Sequence, residues 1–271
     1  MDSTFTWGWW SFDLGKYRRC DGTYALYPYS SLPPLDDGMF RGDFAWLAPA
    51  SSRRPPRRPA PLFARAAALG LTLPPAFERF MSTPGLPGAV PSCTACEWDL
   101  SEAPQPCRVT PGAYTIRFLR DQQDCLFWYL HLRPDGTAPV LCSPIPLDEP
   151  GLELPRQVVI DNSWIVAPHF EHFVYRFWIE NELWDALNDR DPELTPAQRA
   201  YVAHYAAAKK SAAKKPAAKK SAAKKPAAKN PAAKKPAAKK PANKKPANKK
   251  PANKKPAKKA TTRTTTRGPT S

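Results

Sequence analysis

The C-terminal part of the chain, residues 206–271, is built from repeated Lys-Lys-Pro-Ala-Ala, Lys-Lys-Ser-Ala-Ala and Lys-Lys-Pro-Ala-Asn pentads. It holds 21 Lys and 2 Arg, and it contains no acidic and no aromatic residue. Each proline inside a helix costs about 3 kcal/mol, and a segment without large apolar side chains cannot bury a core. We therefore expect residues 206–271 to be a disordered tail, so the fold must reside in residues 1–205.

Charge divides the chain at the same point. The tail holds 23 of the 41 Lys and Arg residues, whereas all 24 Asp and Glu residues lie in 1–205. The first part therefore carries 18 basic and 24 acidic residues, a formal charge of −6, although the whole chain has +17. This pattern predicts an acidic domain with a polycationic tail, and the two parts need separate functional assignments.

Lysine is a compact, hydrated point charge that contacts phosphates without a fixed geometry. We therefore expect the tail to bind the backbone of DNA or another polyanion without reading its sequence. RNA and anionic lipid offer the same charge, but without Trp, Phe or Leu the tail has no apolar face to insert into a membrane. A tail that only solvates the domain is the alternative.

The lysines predicted to make the polyanion contacts occur mostly as adjacent pairs. They are Lys209, Lys210, Lys214, Lys215, Lys219, Lys220, Lys224, Lys225, Lys234, Lys235, Lys239, Lys240, Lys244, Lys245, Lys249, Lys250, Lys254 and Lys255.

Residues 1–5 lack the charged and apolar stretches of a secretion signal, and no run approaches the ~20 apolar residues of a membrane span. We expect a cytoplasmic protein that associates with the nucleoid through its tail. In a reducing compartment the six cysteines need not form disulfides. Cys93 and Cys96 have metal-ligand spacing, but a zinc site would also need Cys107 or the pair His169 and His172. We predict no metal or other cofactor, and ordinary thiols are the favoured interpretation.

Residues 1–50 are predicted to contain two short strands, because aromatic and polar residues alternate in 7–12 and again in 24–29. Residues 51–61 combine prolines with like-charged arginines, which excludes a helix and indicates an extended connector.

Residues 62–205 are predicted to form an α+β domain, with helices packed against an antiparallel or mixed sheet. Helical periodicity starts at Leu62 and continues in a second short helix through Met81. Strand patterns follow in 114–119, 125–132 and 138–142, and a Pro-Asp-Gly turn at 134–136 joins the last two.

Two helices are predicted to close the domain. In the first, apolar residues fall at i, i+3, i+4, i+7 and i+8, namely Phe170, Phe173, Val174, Phe177 and Trp178. The second begins with Thr195, Pro196 and Gln198 at the positions of a capping box. No proline follows until Pro216, so this helix can continue into the first lysines.

Three segments resemble the SUKH superfamily (Smi/Knr type). Residues 69–77, LGLTLPPAF, resemble its opening LG..LP..y..f signature, and residues 114–132 resemble the central hairpin of a bacterial subgroup. Residues 167–184 resemble its closing S-F-E-x-F helix, with His169 in place of the usual Ser or Asp. The resemblance covers residues 62–205. It implies a non-catalytic interaction domain, since members include fungal regulators of cell-wall synthesis and bacterial immunity proteins that neutralise toxin domains.

The tail separately resembles the Lys/Ala/Pro arms of linker histones and bacterial histone-like proteins in composition. The chain contains no Gly-rich phosphate loop, HExxH or Gly-x-Ser-x-Gly motif. We therefore expect no enzyme and predict no catalytic residues. His169 and His172 could bind a metal or transfer protons, but an exposed helix start is the simpler interpretation.

Carboxylates are dense from Glu180 to Glu193. We expect Glu180, Glu182 and Asp185 to form an acidic surface beside an exposed Trp184, where charge steers a basic protein partner such as a toxin domain and the indole anchors it. Two alternatives remain open: a nucleoid-associated architectural protein whose domain oligomerises or spaces the arms, and an undetected enzyme held on nucleic acid. In a further variant, the acidic domain masks its own tail at low salt.

Overall fold

The structure, a computed structural model, describes residues 4–48, 59–149, 151–189 and 193–214, of which 208–214 are described by their helical backbone only. The tail was predicted to be disordered from residue 206, but the backbone of 206–214 continues a helix over Pro196–Lys214, because no proline interrupts it. The rest of the tail, 215–271, lies outside these ranges. Residues 51–58 of the predicted connector also lie outside them, whereas Ala60 and Pro61, which were predicted to belong to it, begin a helix over Ala60–Ala68.

The described strands form one mixed sheet. They are β1 (Thr6–Ser11), β2 (Ala25–Pro28), β3 (Cys96–Glu97), β4 (Gln105–Pro106), β5 (Tyr114–Asp121), β6 (Phe127–Leu132), β7 (Val140–Ser143) and β8 (Trp164–Ala167). Their order is β2-β1-β8-β7-β6-β5-β3, with β4 also paired to β5. Only the β1–β8 pair is parallel among these strands.

The described helices are α1 (Ala60–Ala68), α2 (Pro75–Ser82), α3 (Arg156–Asp161), α4 (Phe170–Asn188) and α5 (Pro196–Lys214). Helices on a largely antiparallel sheet confirm the predicted α+β class.

The two strands predicted in residues 1–50 are β1 and β2, and they extend the sheet of the main domain through β8. Strand β8, which has four residues and is separated from α4 by two residues, was not predicted. Gly8 is needed where these strands meet. A Cβ at that position would lie 2.7 Å from Cδ1 of Leu26 and 3.1 Å from Cδ1 of Trp164, so any side chain would force the neighbouring groups apart.

The hairpin predicted across the turn at 134–136 is confirmed, since β6 and β7 pair antiparallel. The backbone N–H of Arg133 donates to the carbonyl of Thr137 at 2.9 Å, which closes the turn between β6 and β7. Gly136 has a φ of +80°, a conformation that glycine adopts without strain. Asp135 Oδ1 accepts hydrogen bonds from the N–H of Thr137 at 2.9 Å and from its hydroxyl at 2.6 Å. These bonds lower the pKa of the Asp135 carboxyl.

Strand β6 is buried along its whole length because the sheet is covered on both faces. Trp128 and Leu130 belong to the main core, whereas Phe127 and Tyr129 belong to a second cluster that includes Val159 of α3. Alternation along the strand sends successive side chains to opposite faces. The continuous apolar run in this strand therefore reflects two apolar environments.

Helix α4 lies across the main core with its predicted apolar stripe buried except at Trp178, which is partly exposed. Phe170 and Phe173 each contact Phe118 of β5 edge to face, with ring centroids 5.1 and 5.3 Å apart. The opposite side of α4 is also covered, since Ile179 and Leu183 pack in a separate cluster with Tyr201 of α5. Helix α4 is therefore a central element with partners on most sides.

The N-terminus of α5 has the predicted capping box. The N–H of Gln198 donates to Thr195 Oγ1 at 3.2 Å, and the N–H of Thr195 donates to Gln198 Oε1 at 2.8 Å. The helix continues to Lys214, as the lack of proline before Pro216 predicted. The capping box satisfies two backbone N–H groups that the helix start would otherwise leave unpaired.

Replacement of Thr195 by alanine is expected to lower the free energy of unfolding by about 1 kcal/mol, because the N–H of Gln198 loses its acceptor. Urea denaturation measures the change. Thr195→Ser keeps the hydroxyl and should stay within a few tenths of the wild-type value. Equal stability of the alanine variant and the wild type would show that the capping box contributes nothing.

Candidate functional site

The tail is joined to the domain through α5. Lys209, Lys210 and Lys214 lie within this helix, although their side chains are outside the described set. The remaining predicted polyanion-binding lysines, from Lys215 onward, lie outside the described residues. The contacts that hold α5 in place therefore fix the start of the positively charged segment.

A buried ion pair lies beneath α5. Both terminal nitrogens of Arg18 donate to Glu180, each at 2.7 Å, in a two-pronged arrangement. The exposed fractions of the two side chains are 5% and 1%. Removing two charges from water is costly, and it is tolerated only when the remaining lone pairs and protons are also satisfied.

The Glu180 carboxylate accepts three further hydrogen bonds. Ser11 Oγ donates at 2.6 Å and Trp9 Nε1 at 2.8 Å, both from β1. Tyr201 OH of α5 donates at 2.7 Å. The carboxylate thus joins β1, α4 and α5, which are distant in sequence.

Two tyrosines fasten α5 to this group, which we call the Arg18–Glu180 cluster. Tyr205 OH accepts from Arg18 at 3.1 Å, and Tyr201 OH accepts from Arg176 at 3.0 Å. Arg176 also donates to the carbonyl of Pro33 at 3.1 Å. Burial raises the pKa of Tyr201 well above its ordinary value, so its hydroxyl stays protonated and can donate to Glu180.

The ion pair sets the protonation of both its members. Burial alone would raise the pKa of Glu180, but the charge of Arg18 and the hydrogen bonds of the cluster hold that pKa below its ordinary value of 4.5. For Arg18, burial opposes ionisation, and attraction to Glu180 outweighs it and raises the pKa. Both groups are therefore charged at neutral pH.

The prediction that Glu180 lies on an exposed acidic surface is wrong, because its exposed fraction is 0%. Sequence spacing identified the acidic residues of α4 but gave no sign that residues 9–18 cover this side of the helix. Asp185 is exposed and Glu182 is partly exposed. Trp184 was predicted to be exposed, but it is half-buried against the apolar cluster between α4 and α5. Burial, with a smaller contribution from Asp185, raises the pKa of Glu182.

Cys93 and Cys96 are free thiols, Cys93 in the loop before β3 and Cys96 at the first position of β3. The N–H of Cys93 donates to Asn181 Oδ1 at 2.7 Å. Burial, reinforced by the charge of Asp185, raises the pKa of Cys93 to about 12, so it is protonated at neutral pH and is a poor nucleophile. In the part of the chain that the structure describes, no three or more His, Cys, Asp or Glu side chains are grouped to hold a metal ion.

His169 and His172 lie at the start of α4, beside a groove of about 840 Å³. His169 occupies the N-cap position without a capping hydrogen bond from its side chain. His172 Nε2 is 3.4 Å from Asp37, and burial together with His169 lowers its pKa. Glu171, which lies between them in sequence, is buried. Its carboxylate accepts hydrogen bonds from the N–H of Gly42 at 2.6 Å and from two further donors. This start of α4 is therefore a structural junction with the N-terminal segment.

No family model, curated protein or solved structure matches this chain. Within the described ranges, no helix combines the length and apolar content needed to cross a bilayer. Function must therefore be argued from the residues themselves.

Breaking the ion pair is expected to destabilise the domain. Glu180→Gln leaves Arg18 charged and buried without its counter-ion, so the free energy of unfolding should fall by about 3–5 kcal/mol at neutral pH. Glu182→Gln, the same change two residues along α4, should change it by no more than about 0.5 kcal/mol. Denaturation of both variants measures the difference, and equal losses would contradict the assignment.

Glu180→Gln should also change how the free energy of unfolding depends on pH. Because the folded pKa of Glu180 is depressed, its stabilisation is present above about pH 4.5 and is lost as the pH falls through the folded pKa. The wild-type domain should therefore lose stability in acid more steeply than Glu180→Gln does.

Proposed function

We propose that this chain is a non-catalytic, protein-binding domain of SUKH type that a lysine-rich tail tethers to DNA or another polyanion. The observation that carries the proposal is the charge segregation: 23 basic residues and no acidic residue lie in 206–271, beside a domain of formal charge −6. Such a division favours two simultaneous partners of opposite charge.

The tail has the chemistry of a nonspecific phosphate binder. Its lysines make point-charge contacts to phosphates and release condensed counterions, which gives affinity without base recognition. The mode of attachment supports a tether, because α5 carries the first lysines and is fastened to the domain through Tyr201 and Tyr205. The tail therefore starts from a fixed point.

The partner-binding surface is proposed to be the accessible part of the acidic end of α4. Asp185 is exposed and Glu182 partly so, and the half-buried Trp184 lies between them in sequence. Acidic side chains steer a basic partner, and a partly packed indole offers apolar area at little cost in side-chain entropy. Glu180 contributes indirectly, by holding α4 and α5 together.

Deletion of residues 206–271 is expected to abolish retention of duplex DNA in a low-salt gel shift. The deletion keeps Tyr205, so α5 retains its attachment to Arg18. If about 8 to 12 lysines of the intact chain engage at once, the logarithm of its affinity should fall against the logarithm of salt concentration with a slope of about −7 to −11.

Two full-length variants serve as controls for this experiment. A tail of the same composition in shuffled order should bind like the wild type, whereas a tail with every Lys changed to Gln should not bind. Equal retention by the truncated chain would refute the tether, and strong dependence on the order of the tail or on DNA sequence would refute its nonspecific character.

The double change Glu182→Lys and Asp185→Lys is expected to reduce recovery of a basic protein partner by about tenfold or more, because like charges then face each other. Affinity purification with the tagged chain, after nuclease treatment to remove proteins bridged by nucleic acid, measures the recovery. Glu78→Lys with Glu193→Lys is the matched control, since both residues are exposed on other helices or loops.

A single stoichiometric partner lost only in the first variant supports an immunity or regulatory role. Self-association without such a partner would favour the architectural alternative, and undiminished partner binding would remove the acidic end of α4 from the site.

A further inference from the structure

Residues 92–96 form a tight bend that carries both cysteines of the Cys-x-x-Cys motif. The N–H of Ala95 donates to the carbonyl of Ser92 at 3.4 Å, and the N–H of Cys96 donates to Ser92 Oγ at 2.8 Å. Ala95 has a φ of +56°, a left-handed conformation that turns the chain between the two thiols. The bend therefore limits how far apart Cys93 and Cys96 can lie.

The strongest contacts of this bend are made by backbone groups and not by the two sulfur atoms. The N–H of Cys93 donates to Asn181 Oδ1 of α4 at 2.7 Å. Cys96 Sγ lies 3.5 Å from Tyr24 OH, but that hydroxyl donates a shorter bond, at 2.6 Å, to Asp121. A new covalent bond between the sulfurs therefore leaves the main hydrogen bonds of the bend in place.

The environment of the two thiols favours a disulfide over a thiolate. Cys93 and Cys96 are both partly exposed, whereas Cys142 is buried. Burial raises the pKa of both thiols, and the pKa of Cys93 rises to about 12 with contributions from Asp185 and from Cys96 itself. A dithiol pair is a strong oxidant when its reduced form is stabilised, and here the thiolate is disfavoured. A disulfide carries no charge, so burial does not oppose it and the bridge should resist reduction.

We propose that Cys93 and Cys96 are a redox pair that closes a disulfide under oxidising conditions and thereby alters the acidic end of α4. One protein thiolate attacks a sulfur of a low-molecular-weight disulfide and releases the first small thiol. The other cysteine loses its proton and attacks the protein sulfur of this mixed disulfide, and the second small thiol leaves. Two protein thiols are thus oxidised to one disulfide while the small disulfide is reduced to two thiols.

The bend contacts α4 beside the surface that we propose to bind a partner. Asn181, which accepts from the N–H of Cys93, also donates to the carbonyl of Phe177 at 2.8 Å. Cys93 and Trp184 pack against the same apolar cluster. A change at Cys93 therefore acts on the part of α4 that carries Asp185. This consequence for partner binding rests on the proposed function, whereas the chemistry of the pair does not.

Equilibration of the full chain with 2-mercaptoethanol and its disulfide at about pH 8 tests the pair. This small disulfide is uncharged, so Asp121 and Asp185 do not repel it. Acid quenching, alkylation and peptide mass spectrometry then identify the bridged residues. We expect one disulfide, between Cys93 and Cys96, with an equilibrium constant about tenfold or more larger in the folded chain than in the urea-unfolded chain, because the bend holds the thiols together.

Three variants serve as controls for the bridge. Cys93→Ser and Cys96→Ser should each form at most a mixed disulfide with the reagent. Cys125→Ser, which removes an exposed thiol outside the motif, should bridge like the wild type. Free thiols at 93 and 96 in excess oxidant, a bridge to any other cysteine, or equal equilibrium constants in the folded and unfolded chains would overturn the proposal.

Hydrogen exchange of the oxidised and reduced chains tests the effect on α4. Amide exchange in residues 177–189 should differ by about twofold or more between the two forms, because the bridge changes the segment that is bonded to Asn181. Cys96→Ser, treated with the same reagents, should show no such difference. Identical exchange in the two forms of the wild type would refute the effect on α4. None of these measurements uses DNA or a partner protein, so failure of the redox pair is distinguishable from failure of the proposed function.

Discussion

The buried pair of Arg18 and Glu180 is the constraint on which the arrangement of the domain depends. One carboxylate receives hydrogen bonds from β1, from Arg18 and from α5, so three segments far apart in sequence must come together before its charge is compensated. A buried ion pair adds little net stability compared with an apolar pair of similar shape, but an incomplete pair is strongly unfavourable. Its main effect here is therefore specificity, because alternative packings of α5 would remove the Tyr201 hydrogen bond from the buried carboxylate.

Local sequence signals predicted much of this fold. The capping box at Thr195 and the turn at Asp135 involve contacts between residues at most three apart, and both have the expected hydrogen bonds. The burial of Glu180 could not be predicted in the same way. Its partner Arg18 is 162 positions away, and helical spacing shows which residues share a face without showing what covers that face. Strand β8 was missed because four residues carry too little periodicity.

The candidate sites also differ in how far the sequence alone could predict them. The lysines that we propose to bind a polyanion follow from composition alone, since their chemistry needs no fold. The Arg18–Glu180 cluster depends on contacts between β1, α4 and α5, and nothing local in the sequence marks these contacts. The acidic end of α4 is intermediate: the residue types were found from sequence, and the fold then removed Glu180 from the set.

The uninterrupted course of α5 carries its backbone beyond the residues that fix the helix to the domain. Lys214 lies nine positions after Tyr205, the last tyrosine fixed by Arg18, which corresponds to about 14 Å along the helix axis at 1.5 Å per residue. Electrostatic screening in physiological salt takes effect over about 8 Å. The backbone of Lys214 therefore lies more than one screening length along the helix axis from Tyr205.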